Sequence, residues 1–167
     1  MRRPDGVVDV FLRPGELYFG DRHTRLRTLL GSCVALVFWH PRKLLGGMCH
    51  YVLPSRNRPV SGPLDGRYGD EAFGLMLQEI RAAHTQPSEY RVRMFGGGNM
   101  FPGMACNLAP IGPQNVAAAR ALMRRHSLDC IGAHVEGIGH RHLLFDVWSG
   151  RVTLEHTGPQ DGVTASR

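Results

Sequence analysis

The sequence contains almost no lysine, few cysteines and no long apolar run. Nineteen of its 20 basic residues are arginine, and Lys43 is the only lysine. No stretch approaches the roughly 18 consecutive apolar residues that a membrane-spanning helix needs. No apolar segment follows Arg2 and Arg3, as it would in a secretory signal. We therefore expect a cytoplasmic protein that does not insert into a membrane.

The four cysteines are Cys33, Cys49, Cys106 and Cys130, and their spacing is long and irregular, with no CxxC pair. This spacing argues against a disulfide framework in an intracellular chain of this size. Most of these cysteines are expected to be small buried hydrophobes. One of them is a candidate nucleophile.

The length and composition are those of one folded globule. The chain has 167 residues and a mass of 18.5 kDa, enough to bury a core without disulfides or metals. Apolar residues make up 43% and charged residues 20%, as in ordinary folded proteins. We expect a single domain over residues 1–157 and a disordered tail over residues 158–167.

The charge balance is basic, with 20 basic and 14 acidic residues and a net charge of +6. The arginines are scattered and form no nucleic-acid-binding motif, so we expect no nucleic-acid partner. Two interpretations remain open. The surface either attracts an acidic protein or is a solvated basic surface without a specific partner.

The order of predicted elements is strands, helix, strand, helix, strands, which indicates an α+β fold. Asp70 is predicted to cap a helix that ends near Ala83, and Gly112-Pro113 to open a second helix that ends near His126. Ser55–Tyr68 is predicted to be a long surface loop. The predicted strands cover 7–12, 17–19, 26–30, 34–39, 46–53, 90–95, 130–135, 142–147 and 152–154.

A hairpin formed by the predicted strands 34–39 and 46–53 can bring a cysteine and a histidine together. A two-residue loop at Pro41 places Cys33 opposite His50. A four-residue loop over residues 41–44 places His50 opposite Ala35, one diagonal step from Cys33. A three-residue loop would put Cys33 and His50 on opposite faces. Because proline disfavours the tight two-residue turns, we favour the four-residue loop.

A thiol and an imidazole on one face permit nucleophilic catalysis, since a neighbouring imidazolium lowers the pKa of a thiol. Gly31 and Ser32 allow a tight turn that exposes the Cys33 sulfur and offers backbone N–H groups as an oxyanion hole. The alternative is that Cys33 and His50 are ordinary core residues. Cys49 competes as the nucleophile, but it adjoins His50 and must point to the opposite face.

The segments around this pair resemble the signature of a known family, the CheD chemoreceptor glutamine deamidases. The resemblance spans Gly15 to Leu154. Its motifs are 30–36 (LGSCVAL), 46–54 (GGMCHYVLP), 67–70 (RYGD), 95–101 (FGGGNMF), Ile111-Gly112 with Asn115, 137–141 (GIGHR), 145–146 (FD) and 150–152 (GRV).

The resemblance implies β-sheets flanked by helices, similar to the catalytic domain of cytotoxic necrotizing factor toxins. It also implies that Cys33 is the nucleophile and His50 its partner. The family uses a Thr six residues before the Cys, where this chain has Arg27, and Thr28 follows. Either Thr28 takes the third role or Arg27 lies in the site and binds the oxyanion or an acidic group. On a regular strand the two face opposite sides, so Thr28 would point away unless a bulge redirects it.

The implied function is a protein-glutamine glutaminase of bacterial chemotaxis, which converts Gln to Glu on methyl-accepting chemoreceptors through a Cys thioester. The implied partners are the cytoplasmic helical bundle of the receptor and a CheC-type phosphatase, and neither a cofactor nor a metal is implied. The alternative is a regulatory binding module that docks on either partner, with catalysis secondary. His140 and His142 lack a third ligand at a supporting spacing, so a packing role is favoured over metal binding.

Overall fold

The computed structural model describes residues 1–104 and 109–158, which form three layers: two helices, a five-stranded sheet and a four-stranded sheet. The strands within these ranges are β1 Val8–Leu12, β2 Leu17–Gly20, β3 Thr24–Leu30, β4 Val34–His40, β5 Leu45–Tyr51, β6 Arg91–Gly96, β7 Cys130–Val135, β8 His140–Asp146 and β9 Arg151–Thr157. The helices are α1 Gly69–Ala82 and α2 Ile111–Arg125, with a 3₁₀ turn at Pro87–Glu89.

The two sheets have the strand orders β1-β3-β8-β9 and β2-β5-β4-β6-β7. The pairs β1–β3 and β6–β7 are parallel, and the others are antiparallel. This confirms the predicted α+β class. The chain passes from one sheet to the other directly after β3, through the three residues Gly31, Ser32 and Cys33.

The five-stranded sheet is buried on both faces, which explains why β4 reads as a continuous apolar run. Val34, Leu36 and Phe38 pack with the helices in one cluster. Ala35 and Val37 point the other way and pack against the four-stranded sheet in a second cluster. Successive residues of β4 and β5 therefore alternate between the cluster under the helices and the cluster between the two sheets.

The β4–β5 hairpin has the predicted four-residue loop. His40 pairs with Leu45 and His50 pairs with Ala35. The loop closes with a hydrogen bond from Leu44 N–H to the His40 carbonyl (2.9 Å), and Leu44 has φ 51°. The preference for this register, drawn from Pro41, is confirmed.

The helix starts differ from their predictions. Tyr68 is the N-cap of α1, and Asp70 lies inside the first turn, where its Oδ1 accepts from the Glu71 N–H at 2.9 Å. The carboxylate still faces the positive end of the helix dipole. The second helix begins at Ile111, so Pro113 is its third residue and not its first. The predicted tail lies outside the described residues except for Gly158.

Candidate active site

Cys33 ends the crossing loop that joins the two sheets. Its side chain is partly buried and packs on the cluster between the sheets. His50 lies on the next strand, and its partner Ala35 is two residues from Cys33. Diagonal neighbours across an antiparallel pair have Cβ atoms roughly 7–8 Å apart or somewhat less, which long side chains can bridge. The predicted shared face is confirmed.

The position of His50 is fixed by the backbone on its other side. Gly15 N–H donates to the His50 carbonyl at 2.7 Å, and His50 N–H donates to the Glu16 carbonyl at 3.1 Å. The His50 side chain is 1% exposed. A buried imidazole held in this way has little freedom to change its direction.

Thr28 sets the direction and the tautomer of that ring. Its Oγ1 donates to the Leu12 carbonyl at 2.8 Å and lies 2.7 Å from His50 Nδ1. A hydroxyl has one proton, so Thr28 must accept the second hydrogen bond from Nδ1–H. The Nε2 atom of His50 is then the unprotonated nitrogen. Within residues 1–104 and 109–158 it is buried and has no hydrogen-bond partner.

Arg27 is on the opposite face of β3, and the alternative that it completes the site is wrong. Its Nε donates to Asp9 Oδ1 at 2.8 Å, and its guanidinium lies over the Phe11 ring. This ion pair is exposed to solvent. Thr28 is fully buried and faces His50 without a bulge, because β3 pairs with β8 in an unbroken register over Arg25–Leu30. The concern that Thr28 would point away is also wrong.

The electrostatics favour a neutral resting pair. Burial lowers the pKa of His50 from 6.5 to about 4, although the Glu16 carboxylate raises it somewhat. Burial also raises the pKa of the Cys33 thiol, although its own backbone N–H lowers it in part. These directions do not support the expectation that an imidazolium lowers the pKa of Cys33 in the free protein. His50 Nε2 is placed to act as a base and not as a standing cation.

The glycine segment Gly96–Gly98, at the end of β6, is hydrogen-bonded to the crossing loop. Gly97 N–H donates to the Cys33 carbonyl at 2.8 Å and Gly98 N–H to the Gly31 carbonyl at 2.9 Å. Gly96 has φ +107°, and a Cβ there would lie 2.2 Å from the Cys33 carbonyl oxygen. The backbones can approach this closely only because position 96 lacks a side chain. The segment therefore lies against the loop that carries Cys33.

The other described cysteines pack on the helix side of the five-stranded sheet, opposite the face that holds Cys33 and His50. Cys49 is fully buried in the cluster beneath the helices, and burial raises its pKa to about 12. Cys130 Sγ donates to the Gly132 carbonyl on β7. Cys106 lies outside the described residues. Cys33 is therefore the one described cysteine that shares a face with His50.

The structure adds two groups for which sequence reasoning assigned no role. The Leu12 carbonyl accepts the Thr28 proton, and a backbone acceptor leaves no signal in a side-chain pattern. Asn115 Nδ2 donates to the Ser32 carbonyl at 3.0 Å and to the Val52 carbonyl at 2.8 Å. The sequence signal that could have found Asn115 is a polar residue at a buried position of an amphipathic helix.

The histidines weighed as metal ligands, His140 and His142, are both partly buried on β8. In residues 1–104 and 109–158, no three His, Cys, Asp or Glu side chains are grouped so as to hold a metal ion. No helix in the same part of the chain combines the length and the apolar character needed to cross a membrane.

A partly buried thiol, a buried imidazole with a free nitrogen and a hydroxyl that orients the imidazole are the groups that a cysteine–histidine acyl-transfer site requires. A family model described as "CheD chemotactic sensory transduction" matches residues 52–156. This match covers more than half of the 167-residue chain. The chain belongs to the CheD family.

Curated relatives match over most of their length. "Probable chemoreceptor glutamine deamidase CheD 3" of Dechloromonas aromatica (strain RCB) is 52% identical over 151 residues, 90% of this chain and 89% of the relative. A relative of the same kind from Pseudomonas syringae pv. tomato is 46% identical over 161 residues, 93% of this chain and 94% of its own. One from Leptospira interrogans is 35% identical over 160 residues, 91% of this chain and 95% of its own.

Proposed function

We propose that this protein is a glutamine deamidase that acts on chemoreceptors through a thioester on Cys33. The observation that carries the proposal is the hydrogen-bond chain from the Leu12 carbonyl through Thr28 to His50, which leaves Nε2 free on the face shared with Cys33. The names of the relatives supply the substrate class. We also propose that the frame is similar to that of cytotoxic necrotizing factor toxins, and that similarity stays a prediction.

In the first half-reaction, His50 Nε2 takes the proton of the Cys33 thiol as sulfur attacks the side-chain carbonyl carbon of a glutamine. The carbonyl oxygen becomes an oxyanion, which a backbone N–H of the crossing loop stabilises. The imidazolium then gives its Nε2 proton to the amide nitrogen, and ammonia leaves. The receptor is now joined to Cys33 by a thioester.

In the second half-reaction, water enters in place of ammonia. His50 Nε2 takes a proton from this water, and the resulting hydroxide attacks the thioester carbonyl. Collapse of the second oxyanion releases the side-chain carboxylic acid, which gives its proton to solvent and becomes glutamate, and Cys33 leaves as a thiolate that regains the proton from His50. The receptor gains one negative charge, and the protein returns to its neutral resting state.

The neutral resting pair suits this cycle. His50, whose pKa is lowered to about 4, is in its basic form at every pH near neutrality. Thr28 accepts from Nδ1–H both when the ring is neutral and when it is charged, so the ring need not turn between the two steps.

The net charge of +6 is complementary to an acidic helical bundle, where arginine pairs well with carboxylates. A CheC-type phosphatase stays a predicted further partner.

The experiment is incubation of a receptor cytoplasmic fragment with the protein, followed by peptide mass spectrometry. A gain of about one mass unit at specific glutamines is expected, because an amide becomes an acid. Receptor incubated without protein is the control for spontaneous deamidation. Binding of the fragment with no mass change would overturn the deamidase and favour the regulatory binding module.

A further inference from the structure

Asn115 connects the two segments that carry the catalytic pair. It lies on α2 and is fully buried. Both protons of its amide nitrogen are used: one is donated to the Ser32 carbonyl, directly before Cys33, and the other to the Val52 carbonyl, two residues after His50. A single side chain of the helix layer thus holds the segment before Cys33 and the segment after His50.

The bond to Ser32 fixes the peptide that joins Ser32 to Cys33. In a trans peptide the carbonyl and the following N–H point in opposite directions, and the chain has no cis peptide bonds in its described residues. Because the Ser32 carbonyl points toward Asn115, the Cys33 N–H must point away from it. The N–H belongs to the same residue as the Cys33 Sγ. Burial raises the pKa of the Cys33 thiol, and a hydrogen bond from this N–H lowers the pKa in part.

The oxyanion of an acyl transfer forms beside the attacking sulfur, and a donor must be aimed at it before the reaction begins. We propose that Asn115 is the positioning residue of the oxyanion hole, and that it prevents the Ser32–Cys33 peptide from turning its N–H away. The inference rests on the proposed deamidase function and assigns Asn115 no contact with the substrate.

Other contacts fix the position of the Asn115 backbone and of the start of α2. Tyr51 Oη donates to the Asn115 backbone carbonyl, and Gly112 lies so close to Gly97 that a Cβ would meet the Gly97 carbonyl at 2.3 Å. The Asn115 Oδ1 atom is buried and has no partner among the described residues. An unpaired buried acceptor costs stability, so the amide is better explained by its two donated bonds than by packing.

The test compares two reactions of Cys33 in the variants Asn115→Leu and Asn115→Asp. Both keep the approximate size of the side chain and remove the donors. Receptor deamidation passes through an oxyanion, whereas alkylation by iodoacetamide displaces iodide at a saturated carbon and does not. We expect kcat for deamidation to fall by roughly 100-fold, with KM and the Cys33 alkylation rate unchanged.

The matched control is Leu122→Ala, which opens space at another buried position of α2 and should keep kcat. An equal fall in alkylation and deamidation, an equal loss in Leu122→Ala, or failure of both Asn115 variants to melt cooperatively would reduce Asn115 to a structural role and overturn the inference. If wild-type protein deamidates no receptor glutamine, the proposed function fails first. Active wild type with fully active Asn115 variants overturns this inference alone.

Discussion

The two faces of the five-stranded sheet differ in what their buried groups can do. Cys49 faces the helices among apolar side chains, and the pKa of its thiol is raised to about 12. Its neighbour His50 faces the other sheet, where Thr28 binds one ring nitrogen and leaves the other free. Cys33 lies on this second face, at the point where the chain enters the sheet.

The difference follows from one residue of register. Side chains alternate along a strand, so a shift of one position in the β4–β5 hairpin would exchange the roles of Cys49 and His50. Burial alone makes a thiol inert because it disfavours the thiolate. A buried thiol beside an oriented base can still act as a nucleophile, because the base takes its proton during the attack. The site therefore depends on the pairing of strands more than on the presence of a cysteine and a histidine.

The largest expected effect separates the two cysteines. Cys33→Ala should abolish receptor deamidation, because no other described thiol shares a face with His50. Cys49→Ala should keep most of the activity and lower the melting temperature, because it leaves a small cavity in the helix-side cluster. Deamidation rates are measured on protein that melts cooperatively. An active Cys33→Ala variant, or an inactive folded Cys49→Ala variant, would break the contrast between the faces.

The next effect is on stability against pH. The pKa of His50 falls from 6.5 to about 4 on folding, so the unfolded chain binds the proton more tightly than the folded one. The contribution of neutral His50 is fully present above pH 6.5 and is lost as the pH falls toward 4. Chemical denaturation should show that wild-type protein loses about 3 kcal/mol more than His50→Asn between pH 7 and pH 4.

The His50→Asn variant is the control here because it lacks this titration, while all other ionisable groups are shared. Parallel stability curves for the two proteins over that range would show that His50 keeps an ordinary pKa. The neutral resting pair would then have to be abandoned.

The smallest effect distinguishes neighbours on β3. Thr28→Val keeps the shape but leaves His50 Nδ1–H without an acceptor, and should lower kcat at least about tenfold, or 1.4 kcal/mol of transition-state stabilisation. Arg27→Ala should change kcat little, since its ion pair with Asp9 is exposed. Thr24→Val is the matched control, because Thr24 is buried on the same face of β3. Equal losses at all three positions would contradict the orienting role of Thr28.

Much of this site could be predicted from the sequence. The hairpin register followed from the loop at Pro41 and from the two-residue period of side chains in a strand, and it placed Cys33 and His50 on one face. The resemblance to the CheD family then selected this pair as the candidate nucleophile and its partner. The α+β order followed from the periodicity of the segments. Local chemistry carried the register and the order of elements, and the structure confirms both.

The remaining features depend on contacts between distant segments. The role of Thr28 was doubtful because the family's threonine position falls on Arg27 in this chain. The side of β3 that faces His50 is set by the packing of this strand between the two sheets, which the local sequence does not reveal. The lowered pKa of His50 comes from burial between two sheets, which a single strand does not reveal. Asn115 acts on Ser32 from more than 80 residues away, and no local pattern predicts that bond.

The most direct test of the central claim is the location of the covalent intermediate. A glutamine-containing receptor peptide is mixed with the protein, the reaction is quenched in acid during turnover, and the protein is digested and analysed by mass spectrometry. The account predicts an adduct on Cys33 with the mass of the peptide less one ammonia, which is absent when Cys33 has first been alkylated. An adduct on another residue, or full deamidation by the alkylated protein, would contradict it.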